Sequence, residues 1–228
     1  MPRPSRNLDR ALLAAGRELF PRRGCAGLAV REVAEAAGVN LGMFHYHFKS
    51  REAFLRALLQ GVYEEMYSQL SVVAADRLQE VTPLVQLRST LRFMGRFLRA
   101  NRPILARVLA DALCGEPIAI EFVRDNFPRH VAVIRGLVGA AQEAGEVRAL
   151  PAIQLMAFCA GSVAAPILFG GAVIESGELA RRQSKALEEV LLSDAAIDER
   201  IDLALATIAV PATPSPVRRR KPRRKERP

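Results

Sequence analysis

Residues 30–52 of the chain read VREVAEAAGVNLGMFHYHFKSRE. An apolar stripe from Val30 to Ala37 predicts a helix of about two turns. It ends at Gly38, and glycine is the residue that most readily adopts the left-handed conformation of a sharp turn. Asn40 then offers a side chain that can cap a second short helix over the aromatic run that follows. The segment therefore predicts two short helices that meet across a tight turn.

A helix pair that enters the DNA major groove needs a glycine in its turn, small residues where the helices approach, and a short second helix with a free outer face. This segment supplies Gly38 for the turn, Ala34 and Ala37 for the close approach, and a second helix at about 40–48. The pair alone is also compatible with a purely structural helical hairpin. The two interpretations differ in whether the second helix contacts DNA.

Charge is unevenly distributed along the 228 residues, which carry a formal net charge of +9. Residues 1–51 carry +5 and residues 218–228 carry +7, whereas residues 52–217 carry −3. A body that bound phosphates over its whole surface would not be net acidic. The asymmetry therefore favours a nucleic-acid contact at the N-terminal head, with a separate question for the basic tail.

The remaining pattern is helical, and no alternating strand pattern interrupts it. We expect a long helix after Ser50 and a nearly all-apolar helix from Pro151 through Phe169. Between and after them, further helices are predicted to begin at Thr82-Pro83, near Asn101, at Asn126-Phe127-Pro128, and shortly before Ile197.

The sequence lacks the motifs that are typical of enzymes, metal sites, and secreted or membrane proteins. The sequence shows no phosphate-binding glycine loop, nucleophile elbow or HExxH motif, so we expect neither an enzyme nor a cofactor. His45 and His47 point to nearly opposite sides of a helix and make a poor metal pair, so no metal is expected. Three widely spaced cysteines indicate a reducing compartment, and no secretion signal or membrane-spanning segment is expected.

Residues 30–52, together with Ala14-Ala15, Leu19-Phe20 and Gly24 before them, resemble the helix-turn-helix of the TetR family of bacterial transcriptional regulators. The resemblance covers about residues 8–55. It implies an all-α fold in which a three-helix DNA-binding domain at 1–50 precedes a larger helical ligand-binding and dimerisation domain at 51–210. Residues 211–228 then form a Pro-rich linker and a basic tail.

The resemblance also implies roles for matching positions. Leu41 and Met43 cannot hydrogen-bond base edges, so we expect the operator to be read partly through apolar contact and DNA shape. Phe44 and Phe48 should be buried. The positions expected to face the groove are Arg31, Asn40, Leu41, Gly42, Met43 and Tyr46, and those expected to reach phosphates are His45, His47 and Arg51.

In the body, the resemblance implies an internal pocket for a small-molecule effector, and the apolar stripes favour a hydrophobic or amphipathic one. The pocket candidates are Tyr63, Tyr67, Phe93, Phe97, Phe122 and His130, although an aromatic stripe is by default plain core. The helices near Pro151–Phe169 and Ser193–Ile208 are expected to hold a homodimer, with Leu168 and Leu205 as test positions.

The sequence therefore predicts a cytoplasmic, nucleoid-associated, ligand-responsive repressor that binds a near-palindromic operator as a dimer. The alternative is a structural protein that binds nucleic acid nonspecifically through its basic tail. In the first case, the tail is predicted to neutralise phosphates beside the operator without reading bases.

Overall fold

The computed structural model describes residues 6–75 and 82–211, and within these ranges the regular elements are helices. An isolated antiparallel bridge joins Val147 to Ala209. The all-α prediction is confirmed. The helices are α1 (Arg6–Gly27), α2 (Val30–Ala36), α3 (Leu41–Phe48), α4 (Arg51–Ala75), α5 (Pro83–Ala100), α6 (Arg102–Leu113), α7 (Pro117–Glu143), α8 (Ala152–Ala165), α9 (Gly171–Glu175), α10 (Arg181–Leu192) and α11 (Asp194–Ile208). A π-helical segment (Pro166–Gly170) joins α8 to α9.

The head, α1 to α3, has the predicted turn chemistry. Gly38 takes a φ of 65°, and the Asn40 side chain caps α3 by accepting from the Met43 N–H at 2.9 Å. Phe44 is fully buried and packs on Phe54 of α4, with ring centroids 5.2 Å apart. The anchored ring fixes which face of α3 turns outward.

Two helices differ from the sequence prediction. No helix begins at Asn126, because α7 runs unbroken through Pro128. Proline removes one backbone hydrogen bond, but the Asn126 amide donates to the Phe122 carbonyl at 3.0 Å and the residue is buried, so packing holds a single helix. The prediction also omitted α10, whose sequence is largely polar.

The buried side chains of the head continue into the body, α4 to α11. One cluster joins Phe20 and Phe44 to Leu58 of α4, Val108 of α6 and Ile118 of α7. A second cluster joins α5, α7, α8 and α11. The predicted boundary at residue 50 is thus a change of element rather than a gap in the core.

Helix α5 spans the body from the head to the far end. Asn101, which follows α5, accepts from Arg17 of α1 at 2.5 Å. At the other end, the Leu84 N–H donates to the Glu146 carboxylate at 2.9 Å. Helix α11 runs antiparallel to α5, since Asp194 at its start pairs with Arg99 at 2.7 Å. The chain therefore leaves α11 at the end of the body opposite the head.

The stretch Ala152–Glu175 is long and apolar enough to cross a membrane by length and composition alone, with a mean hydropathy of 1.9 and most of its surface unburied in the single chain. The predicted basic tail and all but the first residue of its linker lie outside the described residues.

Candidate DNA-binding surface and effector cavity

Helix α3 presents a mixed apolar and polar outer face. Tyr46 is 64% exposed, and Leu41 and Gly42 are exposed on the first turn. His45 is exposed beside them, and its Nδ1 lies 3.4 Å from the Lys49 carbonyl. A single α-helix with an exposed face is the kind of element that a major groove admits.

Other predicted contact positions have structural partners of their own. The Asn40 Oδ1 is engaged as the α3 cap, and Met43 is half-buried. His47 is half-buried between the rings of Tyr46 and Phe48, and its Nε2 is shielded from solvent without a partner. These three positions contribute to the shape of α3 as well as to its outer surface.

Arg51 is tied to the end of α1. Its Nη1 donates to the Cys25 carbonyl and, at 3.2 Å, to the Ala26 carbonyl. The guanidinium therefore joins the first turn of α4 to the residues that precede α2. Arg31, by contrast, is exposed on α2.

Lys49, which was not among the predicted contact residues, is exposed directly after α3 and adopts a φ of 60°. Its backbone N–H donates to the His45 carbonyl at 3.0 Å and ends the helix. The signal that was available is a basic residue at the C-terminal end of the predicted recognition helix.

The body encloses a cavity of about 480 Å³, within the size range of small-molecule sites. We call it the effector cavity. Helices α4, α5, α6, α7 and α8 contribute its walls, and its lining among the described residues includes no Asp, Glu, Lys or Arg. Of the six candidates, Tyr63, Phe97, Phe122 and His130 line it.

Tyr67 and Phe93 lie beside the effector cavity rather than in its wall. Tyr67 stacks on Tyr63 with ring centroids 5.8 Å apart, and the Arg129 guanidinium lies 4.1 Å from the Tyr67 centroid. Phe93 packs against Phe97 of the same helix. The rest of the wall was not predicted and is mostly aliphatic or sulfur-containing, apart from Asn126 and Phe127. It includes Met66, Met94, Leu98, Ile134, Met156 and Val163.

The polar side chains of the cavity wall are grouped at one side. The Tyr63 hydroxyl donates to the Asn126 carbonyl at 2.7 Å and lies 3.4 Å from His130 Nδ1. Burial lowers the pKa of His130 below its ordinary value, so that the imidazole is neutral at pH 7. Burial also raises the pKa of Tyr63 to about 12. The site thus offers uncharged hydrogen-bonding groups beside an apolar wall.

Helix α6 connects the effector cavity to the head. The Asp111 carboxylate is 7% exposed and accepts from the Cys25 N–H at 2.7 Å and from Arg107 Nε at 2.8 Å. Arg107 also donates to the Arg23 carbonyl at 3.3 Å. We call Arg107, Asp111 and the residues 23–25 that they bind the clasp. Val108, within the same helical turn, lines the effector cavity.

The clasp requires a glycine at position 24. Gly24 takes a φ of 64°, and a Cβ there would overlap the Arg107 guanidinium. Arg23 continues the link to α2 through Glu32, with Nη2 and Oε1 2.7 Å apart. Burial, with help from the Asp111 carboxylate, raises the pKa of the Cys25 thiol to about 12, so it stays protonated at pH 7.

No group of three or more His, Cys, Asp or Glu in residues 6–75 and 82–211 is arranged to hold a metal ion.

The head matches a known protein family. Residues 12–58 match the family described as bacterial regulatory proteins, tetR family, which confirms the resemblance drawn from the sequence. The transcriptional repressor KstR2 of Rhodococcus jostii is 30% identical over 79 residues, or 35% of this chain and 39% of its own length. The transcriptional regulator EthR of Mycolicibacterium smegmatis is 27% identical over 150 residues, or 64% of this chain and 67% of its own length.

The body is related to known structures by fold. A transcriptional regulator from Saccharomonospora viridis, solved in complex with choline, superimposes with a TM-score of 0.69 at 16% identity, over 90% of this chain and all of its own. The aligned part of this chain spans about two fifths of KstR2 and two thirds of EthR.

Proposed function

We propose that the chain, whose residues 12–58 match the tetR family of bacterial regulatory proteins, is a ligand-responsive transcriptional repressor that binds a near-palindromic operator as a homodimer. The observation that carries the proposal is the geometry of α3. Its buried Phe44 and its Asn40 cap fix the helix, Tyr46 is exposed on the side away from Phe44, and Leu41 is exposed at the start of the first turn. An anchored short helix with a free face is what groove recognition requires.

The proposed readout combines apolar and shape contacts. Leu41 and Gly42 allow α3 to approach base edges closely, and a leucine contacts thymine methyl groups rather than hydrogen-bonding groups. Arg31, His45, Lys49 and Tyr46 supply the surrounding phosphate and base contacts. His47, Met43 and Arg51 remain among the proposed DNA-contact residues, and they also hold α3 in place.

The proposed dimer uses the outer faces of α8 to α9 and α11. Phe169 is 69% exposed and Leu203 is 62% exposed, and Phe158 and Val173 are also exposed. Helices α8 and α11 pack on each other, so Phe158 and Leu203 lie on neighbouring helices, and Phe169 and Val173 follow α8 in the chain. A second copy covering this face explains why so apolar a stretch as Ala152–Glu175 is mostly unburied in one chain, without placing it in a membrane.

The effector is proposed to be a neutral, largely apolar molecule with one hydrogen-bonding group. The uncharged lining supports this, and the polar group would meet Tyr63 and His130. Choline, the ligand of the Saccharomonospora structure, is a cation, and the described lining offers no carboxylate to pair with it. Neutral decanol should release operator DNA at lower concentration than decyltrimethylammonium ion, and the reverse order would reject this effector class.

We propose that the clasp transmits the effect of ligand binding from the effector cavity to the head. A ligand that displaces Val108 or Leu105 moves the helix that carries Arg107 and Asp111, and these hold the chain between α1 and α2. Coupling of this kind is reciprocal, so operator binding also weakens ligand binding by the same factor. The ligand needs a differential affinity for the two arrangements to have any effect.

The family relationship supports a DNA-binding regulator rather than an enzyme, and a cytoplasmic, nucleoid-associated location follows from that role. The alternative, nonspecific binding of nucleic acid through the tail, predicts a different effect of removing the tail. A chain ending at residue 211 should keep its affinity for a selected operator if the head reads DNA. Affinity is measured by fluorescence anisotropy with operator and random duplexes. Loss of operator affinity in the shortened chain would show that the tail, rather than the head, binds DNA.

A further inference from the structure

The effector cavity opens to solvent on one side of the body. A side chain that lines a cavity and is also exposed lies at the opening of that cavity, whereas a buried lining residue lies in its closed wall. No wall residue from α4 or α5 is exposed. The exposed wall residues are apolar and come from α6, α7 and α8: Leu109, Phe127, Ile153, Ala157 and Ala160. We call the opening that these five residues border the mouth.

Helices α6 and α8 border the mouth from two sides. Both pack on α7, and the chain that continues from α8 also reaches the start of α6, where Arg102 donates to the Glu175 carboxylate. Gly171 permits this close approach, because a Cβ there would overlap the Arg102 side chain. Toward the other end of both helices, Leu109 of α6 and Ile153 of α8 are exposed. The gap between the two helices is therefore closed at one end and open at the other.

A second depression, of about 290 Å³, lies between α4 and α7 and adjoins the same cavity. Phe122 and Asn126 line both, so they form the wall between them. Asn126 is buried, and its amide exchanges two hydrogen bonds with the Gln60 amide, each 3.2 Å long. A ligand that crossed this wall would break these bonds at a buried amide, which is costly. The cavity is therefore closed on this side.

We propose that the effector enters and leaves its cavity through the mouth, between α6 and α8. The inference rests on the proposed function, which assigns the cavity to a neutral, largely apolar effector. Because the exposed side chains at the mouth are apolar, such a molecule keeps apolar contacts along its path. A charged molecule would be desolvated there without a counter-ion among these side chains. The mouth and the cavity wall therefore select the same class of ligand.

The mouth is separate from the proposed dimer face. At 3.6 residues per turn, Ile153, Ala157 and Ala160 lie along one side of α8, and Phe158 is turned about 100° away from Ala157. Leu109 belongs to α6, which lies outside that face. The proposed dimer therefore uses a different side of α8 from the one that borders the mouth.

Entry and exit rates test the mouth. The probe is N-phenyl-1-naphthylamine, a neutral molecule whose fluorescence rises in apolar surroundings, and it is mixed with the full chain in a stopped-flow instrument without DNA. Leu109→Trp and Ala157→Trp narrow the mouth from its two sides. We expect each to slow association and dissociation alike, by at least about fivefold, while the Kd changes by less than about threefold.

Two further variants complete the test. Phe127→Ala widens the mouth and should speed both rates, and it decides the matter if a Trp variant does not fold. Ala57→Trp is the matched control, because Ala57 lines the second depression and not the effector cavity, so both rates should equal those of the parent. Circular dichroism and sedimentation check that each variant keeps the parent's fold and oligomeric state.

Parent-like rates in Leu109→Trp, Ala157→Trp and Phe127→Ala would overturn the proposal. Slower entry in Ala57→Trp alone would also overturn it, by moving the entrance to the α4–α7 side. Faster dissociation with unchanged association in the Trp variants would make these residues binding wall rather than entrance, and a parent chain that does not bind the probe would reject the cavity and its mouth together. Operator titration is separate: a chain that binds no operator would reject the proposed repressor and leave the measured route standing.

Discussion

Tyr46 is the large side chain that α3 exposes most fully, and nothing in the fold depends on its ring beyond an edge contact with His47. Tyr46→Ala should therefore weaken operator binding by roughly tenfold, about 1.4 kcal/mol, with helical content and dimerisation unchanged. Anisotropy titration and circular dichroism measure the two quantities.

His47→Ala is the companion variant, and it should weaken operator binding as well, because His47 is itself one of the proposed DNA contacts. Because His47 is half-buried against Phe48, its removal should also lower the melting temperature, which Tyr46→Ala should not do. Parent-like operator affinity of Tyr46→Ala would remove the outer face of α3 from recognition.

His130 gives the protein a defined pH response. Burial lowers its pKa in the folded state, so the unfolded chain takes up a proton first as pH falls below about 6.5, and stability decreases from there down to the folded pKa. His130→Gln should therefore lose less melting temperature than the parent between pH 7.5 and 5.5. The carboxyls with lowered pKa, such as Glu64 and Glu121, titrate below this window. Identical pH slopes in parent and variant would contradict the assignment.

At single positions, the sequence indicated which residue types matter but not which partners they have. The exposure of Tyr46 and the burial of Phe44 follow from helical spacing around an anchored ring. The partners of Arg51 lie 25 and 26 residues away in the chain, and no local pattern encodes them. Likewise, spacing grouped Phe93 with Phe97, but only the packing of five helices decides which ring faces the effector cavity.

Helix α6 contacts the head through the clasp. Asp111→Asn keeps an oxygen acceptor for the Cys25 N–H but removes the charge that faces Arg107, so we expect a loss of about 1–3 kcal/mol of unfolding free energy and weaker operator binding. Thermal unfolding and operator titration report the two effects.

Asp125→Asn is the control for the clasp, since Asp125 is exposed and pairs with its neighbour Arg124. It should change neither quantity. If Asp111→Asn behaved like this control, the clasp would not connect α6 to the head.

The outer faces of the π-helical segment Pro166–Gly170 and of α11 carry the dimer prediction. Phe169→Glu and Leu203→Glu should give folded monomers, because both side chains are exposed in the single chain. Leu205, a sequence-based test position, is 1% exposed and packs in the protomer's own core, so Leu205→Glu should unfold the chain rather than divide the dimer. Leu168 lines the effector cavity and is equally unsuited. Sedimentation with circular dichroism separates these outcomes, and an unchanged dimer in both surface variants would place the interface elsewhere.

Helices with a strong apolar stripe were predicted, and the two exceptions have physical causes. Pro128 reads as a helix start because it lacks an N–H, yet the buried Asn126 and the packing on either side hold α7 in one piece. Helix α10 is largely polar and buries only Leu192 fully, so the prediction missed it although Ala186, Leu187, Val190 and Leu191 recur at helical spacing.

At the scale of the molecule, the sequence predicted an all-helical chain with a DNA-binding head, since the turn chemistry around Gly38 and the charge asymmetry are local properties. It did not predict that the head and body share one cluster of buried side chains, or that the chain leaves α11 opposite the head. Both depend on long-range packing, which no local sequence pattern encodes.

Selection of bound sites from random DNA, followed by footprinting, tests most directly the claim that a dimer reads an operator through α3. The account predicts a near-palindromic site whose two halves are separated by one DNA helical turn, about 34 Å, or a multiple of it, with protection of both halves that Tyr46→Ala reduces together. A selection that enriches no sequence, or an asymmetric single site bound equally well by Tyr46→Ala, would contradict it.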